Sequence, residues 1–512
     1  MGGFNIRNRK SGLAYWGGLS AALAVALGAG SFGQALAQES DPDATINIGS
    51  LYEPQNLDNT AGAGQGINEA FNGNVYEALF RLADDGKVEP VLSKDYKVSD
   101  DGLTYTFKLQ PGVTFHSGAP LTSKDVKFSI ERVAAPESKS SRKSSLKSIS
   151  AIETPPDDET VVVKLSSRSI SLPYNLSYVW VVNDEAKDLQ SKEDGTGPYE
   201  LEDWRRGSSL AMKRFDKYWG GAKPKNGEVV FQYFTDASAL NNALLTGSVD
   251  IITSVQSPDS LAQFKDNPDF TVSEGQSTTK LLLAFNDRVA PFDNVKVRKA
   301  LARAIDDQKL LKAVWGDYGT LIGSFVPPTD PWYVDLTKVD AYDPESAREL
   351  LKEAGYPDGF TFTIDTPNYD PHPIAAQFIQ SELAKVGVTV KINVITANEW
   401  YTKVYKAHDF QATLQEHVNH RDIVFYGNPD FYWGGYNNPK VVDLIKEAEA
   451  SATTDEQTAK LTEANKIIAE DAASNWFYLY PQIVVSKKSV SGYPPLNGLN
   501  SQFFAYDIVK AE

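Results

Sequence analysis

Residues 360–394 constrain the fold more than any other stretch of this 512-residue chain. Phe360, Phe362 and Ile364 alternate in "FTFTI", a helical pattern follows from about Ile374 to Lys385, and Val388, Val390, Ile392 and Val394 alternate again. A period of two, then 3.6, then two, with short links, is a strand–helix–strand unit. Strands joined in this way run parallel, and a parallel pair needs helices on its faces. The preceding segment, "DPESARELLKEAGYPDG", is a helix with both ends marked: Asp343 caps it, Pro344 occupies the first turn and Gly355 ends it. Before that, "DNVKVRKALARAIDDQKLLKAVW" sets Val297, Leu301, Ala304, Ile305 and Leu311 on one helical face.

The first half of the chain is richer in strands. Thr45–Leu51 reads as a strand, and Lys94–Leu109 as a hairpin turning at Asp100–Gly102, with Leu103, Tyr105, Phe107 and Leu109 on the buried face. Thr160–Leu165 is a further strand, and the Ser/Lys-rich Ser138–Ser148 reads as a solvated loop. "NTAGAGQGINEA" carries glycines at 62, 64 and 66 that complete no dinucleotide fingerprint, and no phosphate-loop lysine follows, so it reads as a flexible loop. The chain is mixed α/β, and its length predicts two or three domains.

Residues 1–37 read separately. Arg7, Arg9 and Lys10 precede the small, apolar run Gly12–Gly30, and Ala35-Leu36-Ala37 supplies the small-x-small cleavage pattern of an export leader, predicting a mature start near Gln38. The arginines are not adjacent, which argues against the twin-arginine route. No other segment approaches the roughly 20 apolar residues of a membrane span. Cysteine is absent, which removes disulfides, thiolate metal sites, cysteine nucleophiles and a lipid attachment point together. The expectation is a monomer free in the periplasm. The formal charge of −17 becomes −20 once the three basic leader residues are gone, a surface that repels nucleic acid and anionic lipid.

Five long motifs then occur in a familiar order. They are "DGKVEPVLSKDYKVSDDGLTYTFKLQPGVTFHSGAPLTSKDVKFSIERV" (85–133), "GTGPYELEDWRRGSSLAMKRFDKYWGG" (195–221), "NNALLTGSVDI" (241–251), "PFDNVKVRKALARAID" (291–306) and "AYDPESARELLKEAGYPDG" (341–359). With these the chain resembles the family 5 extracellular solute-binding proteins, the dipeptide- and oligopeptide-type receptors of bacterial ABC importers, from about Ile46 to Tyr506. The resemblance implies a two-lobed α/β periplasmic-binding-protein fold (type II, cluster C) with an extra third domain. It places lobe I at 38–75, 195–286 and 477–512, the extra domain at 76–194, and lobe II at 287–476, with hinges near Asn286 and Trp476. It further implies capture of a peptide or peptide-like solute by hinge closure, delivery to an inner-membrane permease complex, and no cofactor. Opines, chelated metals, haem and oligosaccharides are the alternative solutes. No Gly-x-Ser-x-Gly elbow or His-Glu-x-x-His motif points to an enzyme; a secreted hydrolase or chaperone is the remote alternative.

The candidate site is "EHVNHRDIVFYGNPDFYW", Glu416 to Trp433. In the family's peptide binders a cleft aspartate pairs with the ligand ammonium, and a tryptophan follows an acid about two dozen residues earlier. "NEWYTKVYKAHDFQATLQEHVNHRD" matches that frame through Trp400 and Asp422. Asp422 is therefore the expected anchor for a cationic ligand group, because a charge sealed from water must be paired. Glu416 stands where a peptide binder can carry a carboxylate-binding arginine, and Asn419 and His420 precede the anchor in place of tryptophan. His417, His420 and Arg421 form the expected wall for an anionic or chelated solute, with core packing of the histidines against Phe425 and Tyr426 as the alternative. Tyr432 and Trp433 are the aromatics expected to stack on a ligand. Side-chain ligation of a metal is not expected: His417 and His420 would need a helical turn, and Gly427-Asn428-Pro429 argues against one.

Overall fold

The computed structural model describes residues 41–61, 65–83, 86–140, 142–221, 223–253, 255, 258–418, 420–428, 431, 435–493 and 504–511. The leader of the sequence reading lies outside them, as do Asn419, Tyr432 and Trp433.

An eleven-stranded sheet is the frame. Its main strands are β1 (Thr45–Ser50), β2 (Tyr199–Arg205), β3 (Ser209–Arg214), β4 (Glu228–Tyr233), β5 (Ile251–Ile252), β6 (Phe270–Phe285), β7 (Thr361–Pro367), β8 (Thr389–Ile395), β9 (Ala412–His417) and β10 (Ser474–Lys487). They lie in the order β8-β7-β9-β6-β10-β5-β1-β4-β3-β2, and Thr320–Leu321 pairs with β10 off this path. The strand–helix–strand reading holds: β7 and β8 pair in parallel from Thr361↔Thr389 to Pro367↔Ile395, joined by the helix His372–Ala384. β9 joins β7 in parallel as well, so β7, β8 and β9 end at the same edge. Open α/β sheets bind ligands at such an edge.

β6 and β10 run through both halves of the sheet. They pair antiparallel in two stretches, 270–276 with 481–487 and 280–284 with 474–479, and the register breaks between Gln276 and Lys280. β5 pairs with the far end of β10, whereas β9 pairs with the Lys280–Phe285 end of β6. The two half-sheets are thus continuous only through this broken pair of strands.

A second, four-stranded antiparallel sheet takes the order 93–98, 104–109, 160–165, 149–153. The expected hairpin is its first pair, and Tyr105, Phe107 and Leu109 face its core with Val161, Val163, Val126 and Ile130. Its helix Ser123–Ala134 starts at a reciprocal cap in which Thr122 and Asp125 satisfy each other's orphan backbone groups. The "GTGPY" motif is steric: a Cβ on Gly195 would lie 1.9 Å from the carbonyl oxygen of Val75, so only glycine lets the chain return against residues 74–76.

Three local readings change. Residues 295–315 form two helices, Val295–Ala304 and Asp307–Trp315, because Ile305 is extended and the Asp306 carboxylate accepts from Lys309 N at 3.0 Å as a new cap. Gln65–Phe71 is a helix, not loop, held by buried Ile67, Ala70 and Phe71. The Ser-rich 138–148 stretch contains a helical turn at Lys143–Leu146 with Leu146 buried, which fixes the residue before it, Arg142.

Candidate ligand-binding site

At the common edge of β7, β8 and β9, Lys280 and His417 are direct register partners across β6 and β9. Side chains opposite each other on paired strands share a face. Here that face is the one carrying Leu282, Ala284, Phe325 and Tyr426. Asp422 opens the short helix Asp422–Gly427 just beyond β9 and reaches back over both. Its Oδ2 accepts from Lys280 Nζ at 3.1 Å and lies 2.6 Å from His417 Nδ1. Lys280 and Asp422 are both fully enclosed, at 0% side-chain exposure. Burial alone would push the Asp422 carboxyl up, but His417 and Lys280 together outweigh it and hold the group below the usual carboxylate value. The expected anchor for a ligand cation thus already holds an internal cation.

Arg421 sits at the corner between β9 and that helix with φ +55°, a left-handed backbone rarely taken by a side-chain-bearing residue. The turn throws its guanidinium 4.2 Å from the Tyr174 ring centroid and 5.3 Å from that of Trp332, and Nη2 donates to Gly86 O at 3.2 Å. Arg142 approaches the same tyrosine from the small-sheet unit, 3.6 Å from the Tyr178 ring and 5.8 Å from that of Tyr174. Its Nη1 donates to Tyr174 Oη at 3.5 Å. Among the described residues neither arginine forms an ion pair with a carboxylate. Tyr174 Oη in turn donates to His420 O at 3.2 Å, binding the small-sheet unit to the β9 corner.

The remaining candidates separate. His420 turns to Asp330, 3.3 Å from Nδ1, and burial depresses its basicity more than that carboxylate restores it. Glu416 points to the opposite face of β9 from His417 and accepts from Tyr369 Oη at 3.3 Å. Burial pushes its carboxyl up to about 7, with the tyrosine acting weakly against the shift. Trp400 donates from Nε1 to Thr413 Oγ1 at 2.9 Å and packs near Tyr405, a framework position. His417 does pack near Phe425, with ring centroids 6.1 Å apart, as well as bonding Asp422. Glu416, His417, His420 and Asp422 therefore do not converge on one point. Sequence reasoning missed Lys280, Arg142 and Tyr174. Lys280 had a signal, a charge in phase with the buried Leu282 and Ala284. Arg142 had none, since its serine-rich surroundings read as solvated.

The profile of the bacterial extracellular solute-binding proteins, family 5 Middle, matches residues 87–420, more than half of the chain. The glutathione-binding protein GsiB of Salmonella typhimurium is 32% identical over 368 residues, 70% of this chain and 70% of that protein. Among solved structures, the binding protein AgaA from A. tumefaciens R10, in complex with agropinic acid, is 28% identical with a TM-score of 0.77, covering 92% of this chain and 99% of its own. The Helicobacter pylori binding protein DppA in complex with the peptide STSA shares the fold at 23% identity and TM-score 0.77, covering 92% and 98%. The architecture is the two-lobed type II fold with its additional domain. Among the described residues no helix is long and apolar enough to cross a membrane. The chain belongs to the family 5 bacterial extracellular solute-binding proteins, the receptors of ABC importers.

Proposed function

We propose that this receptor captures a small peptide-like solute through an anionic group, and that Arg142 and Arg421 read that group. The observation that carries the reading is their placement: two guanidiniums from different parts of the chain meet over Tyr174, without carboxylate partners among the described residues. Near them Lys280 adds a third cation, against the acids Asp422 and Asp330, which leaves a local positive surplus on a protein of net charge −17. Planar guanidiniums match carboxylates in two-point hydrogen bonding. The relatives named for glutathione and agropinic acid point to acid-bearing small solutes of this kind.

Closure in this reading pivots at the register break of β6 and β10, residues 276–280 and 479–481, rather than at Asn286 and Trp476 near the far ends of the paired strands. The lobes then divide at that break: 38–75, 195 to about 276 and about 481–512 form lobe I, 76–194 the extra domain, and about 280–479 lobe II, in place of the 195–286, 287–476 and 477–512 bounds expected from the sequence. The protein acts as a binding protein rather than an enzyme, reaches the periplasm by its leader and works as a monomer.

Calorimetric titration of glutathione and of agropinic acid into the mature protein tests the ligand class, with native mass spectrometry of whatever solute co-purifies. Arg142→Gln and Arg421→Gln should each weaken an acid-bearing ligand by ~2–5 kcal/mol, the cost of unpairing a buried charge. A co-purified cationic solute, or unchanged affinity in both variants, would sink the reading.

A further inference from the structure

We propose that Asp422, His417 and the face of Phe325 form an ammonium-binding site that the chain fills with its own Lys280. The geometry is that of a receptor for a primary ammonium. Lys280 Nζ lies 3.1 Å from a carboxylate oxygen and 5.0 Å from the Phe325 ring centroid, so the cation meets one anion and one aromatic face. His417, 2.6 Å from the same oxygen and 5.3 Å from the same ring, holds the carboxylate in place. The second oxygen, Oδ1, is buried and makes no hydrogen bond among the described residues, so the acid keeps acceptor capacity that Lys280 does not use.

The cation is delivered by β6 immediately after the register break, and neither partner touches solvent. A tethered ammonium competes at a high effective concentration, so a free amine on a solute cannot displace it at ordinary levels. The consequence, which rests on the cleft reading above, is that the solute needs no amino group at this wall and is read there through its anionic end instead.

The test uses propylammonium, which matches the atoms removed by Lys280→Ala. Thermal melts of the mature wild type, Lys280→Ala, Lys280→Met and the Lys280→Ala/Asp422→Ala double variant are compared in propylammonium chloride and in sodium chloride at equal ionic strength. Lys280→Ala should melt several degrees below wild type in sodium chloride and recover most of that loss in millimolar propylammonium. Lys280→Met, whose side chain fills the space without a charge, and the double variant should not recover. Should Lys280→Ala be unfolded in sodium chloride, folding upon addition of propylammonium is the same positive result, and remaining unfolded in both salts overturns the proposal. Equal recovery in the double variant or in Lys280→Met, or none in Lys280→Ala, overturns it as well. No solute of the cleft enters these melts, so their failure is distinct from a failure of the anionic-ligand reading.

Discussion

Lys280 and His417 face each other across two antiparallel strands, and a single carboxylate oxygen of Asp422 bonds to both. This makes Asp422 a structural residue, whatever it does for a ligand. Asp422→Ala should therefore destabilise the ligand-free protein by ~3–5 kcal/mol, because Lys280 is left as an uncompensated buried charge. Asp422→Asn keeps the shape and should cost less. Chemical denaturation of the two variants and wild type decides it. A wild-type midpoint for Asp422→Ala would show that the pair carries no stability.

The sequence reading reached Asp422 but assigned it an external partner. Its internal partner lies 142 residues earlier, a distance at which spacing carries no information. The strand–helix–strand unit at 361–395 was legible because it is local and one face of each strand is buried. The break in β6 was not, because the polar run Gln276–Thr279 shows no periodicity to interrupt. Arg142 was hidden for a further reason. What makes it part of the site is Tyr174, the ring it shares with Arg421, on a segment that sequence patterns do not place beside it.

Tyr369 links two groups, a buried histidine and a half-buried glutamate, that titrate with opposite consequences. His372 Nδ1 lies 3.2 Å from Tyr369 O, and burial takes the imidazole from 6.5 down to about 4 despite that bond. Its folded value is depressed, so the neutral form's contribution is complete above 6.5 and is lost as pH falls toward about 4, by up to about 3 kcal/mol. Glu416 runs the other way. Its folded value of about 7 exceeds the usual 4.5, so stability rises as pH falls from about 7 and is lost as the carboxyl ionises. His372→Gln should flatten the loss of melting temperature on acidification, and Glu416→Gln should raise the melting temperature on the alkaline side. Melting curves across both windows test the pair of signs; parallel profiles for all three proteins would refute them.

Glu449 holds the small-sheet unit to the half of the sheet that carries β9. Both of its carboxylate oxygens accept hydroxyl hydrogen bonds, from Ser169 and Ser171, and its backbone oxygen accepts from Ile170 N. If closure brings these groups together, Glu449→Ala removes contacts made only when closed, each worth roughly 1.5–3 kcal/mol as a charged hydrogen bond. The variant should shift toward the open form, with a larger radius by small-angle scattering and weaker solute binding, while its melting temperature changes little. An unchanged radius together with unchanged affinity would mean that these contacts do not report closure.

Arg421 allows backbone strain and ligand recognition to be measured separately. At φ +55° a residue with a Cβ costs on the order of 1 kcal/mol more than glycine. The side chain offsets part of this through its ring contacts with Tyr174 and Trp332 and its bond to Gly86. Arg421→Ala loses those contacts and keeps the strain; Arg421→Gly loses the contacts and the strain together. The glycine variant should therefore be more stable than the alanine variant by about 1 kcal/mol in the ligand-free state. If the guanidinium reads an anionic group, both variants should lose affinity for an acid-bearing solute by a similar factor, since neither supplies a cation. Denaturation midpoints and calorimetric titrations of the two variants give both numbers. Equal stabilities would show that the left-handed corner is not strained. Affinity that returns in the glycine variant alone would show that the corner's shape, and not the charge of Arg421, governs binding.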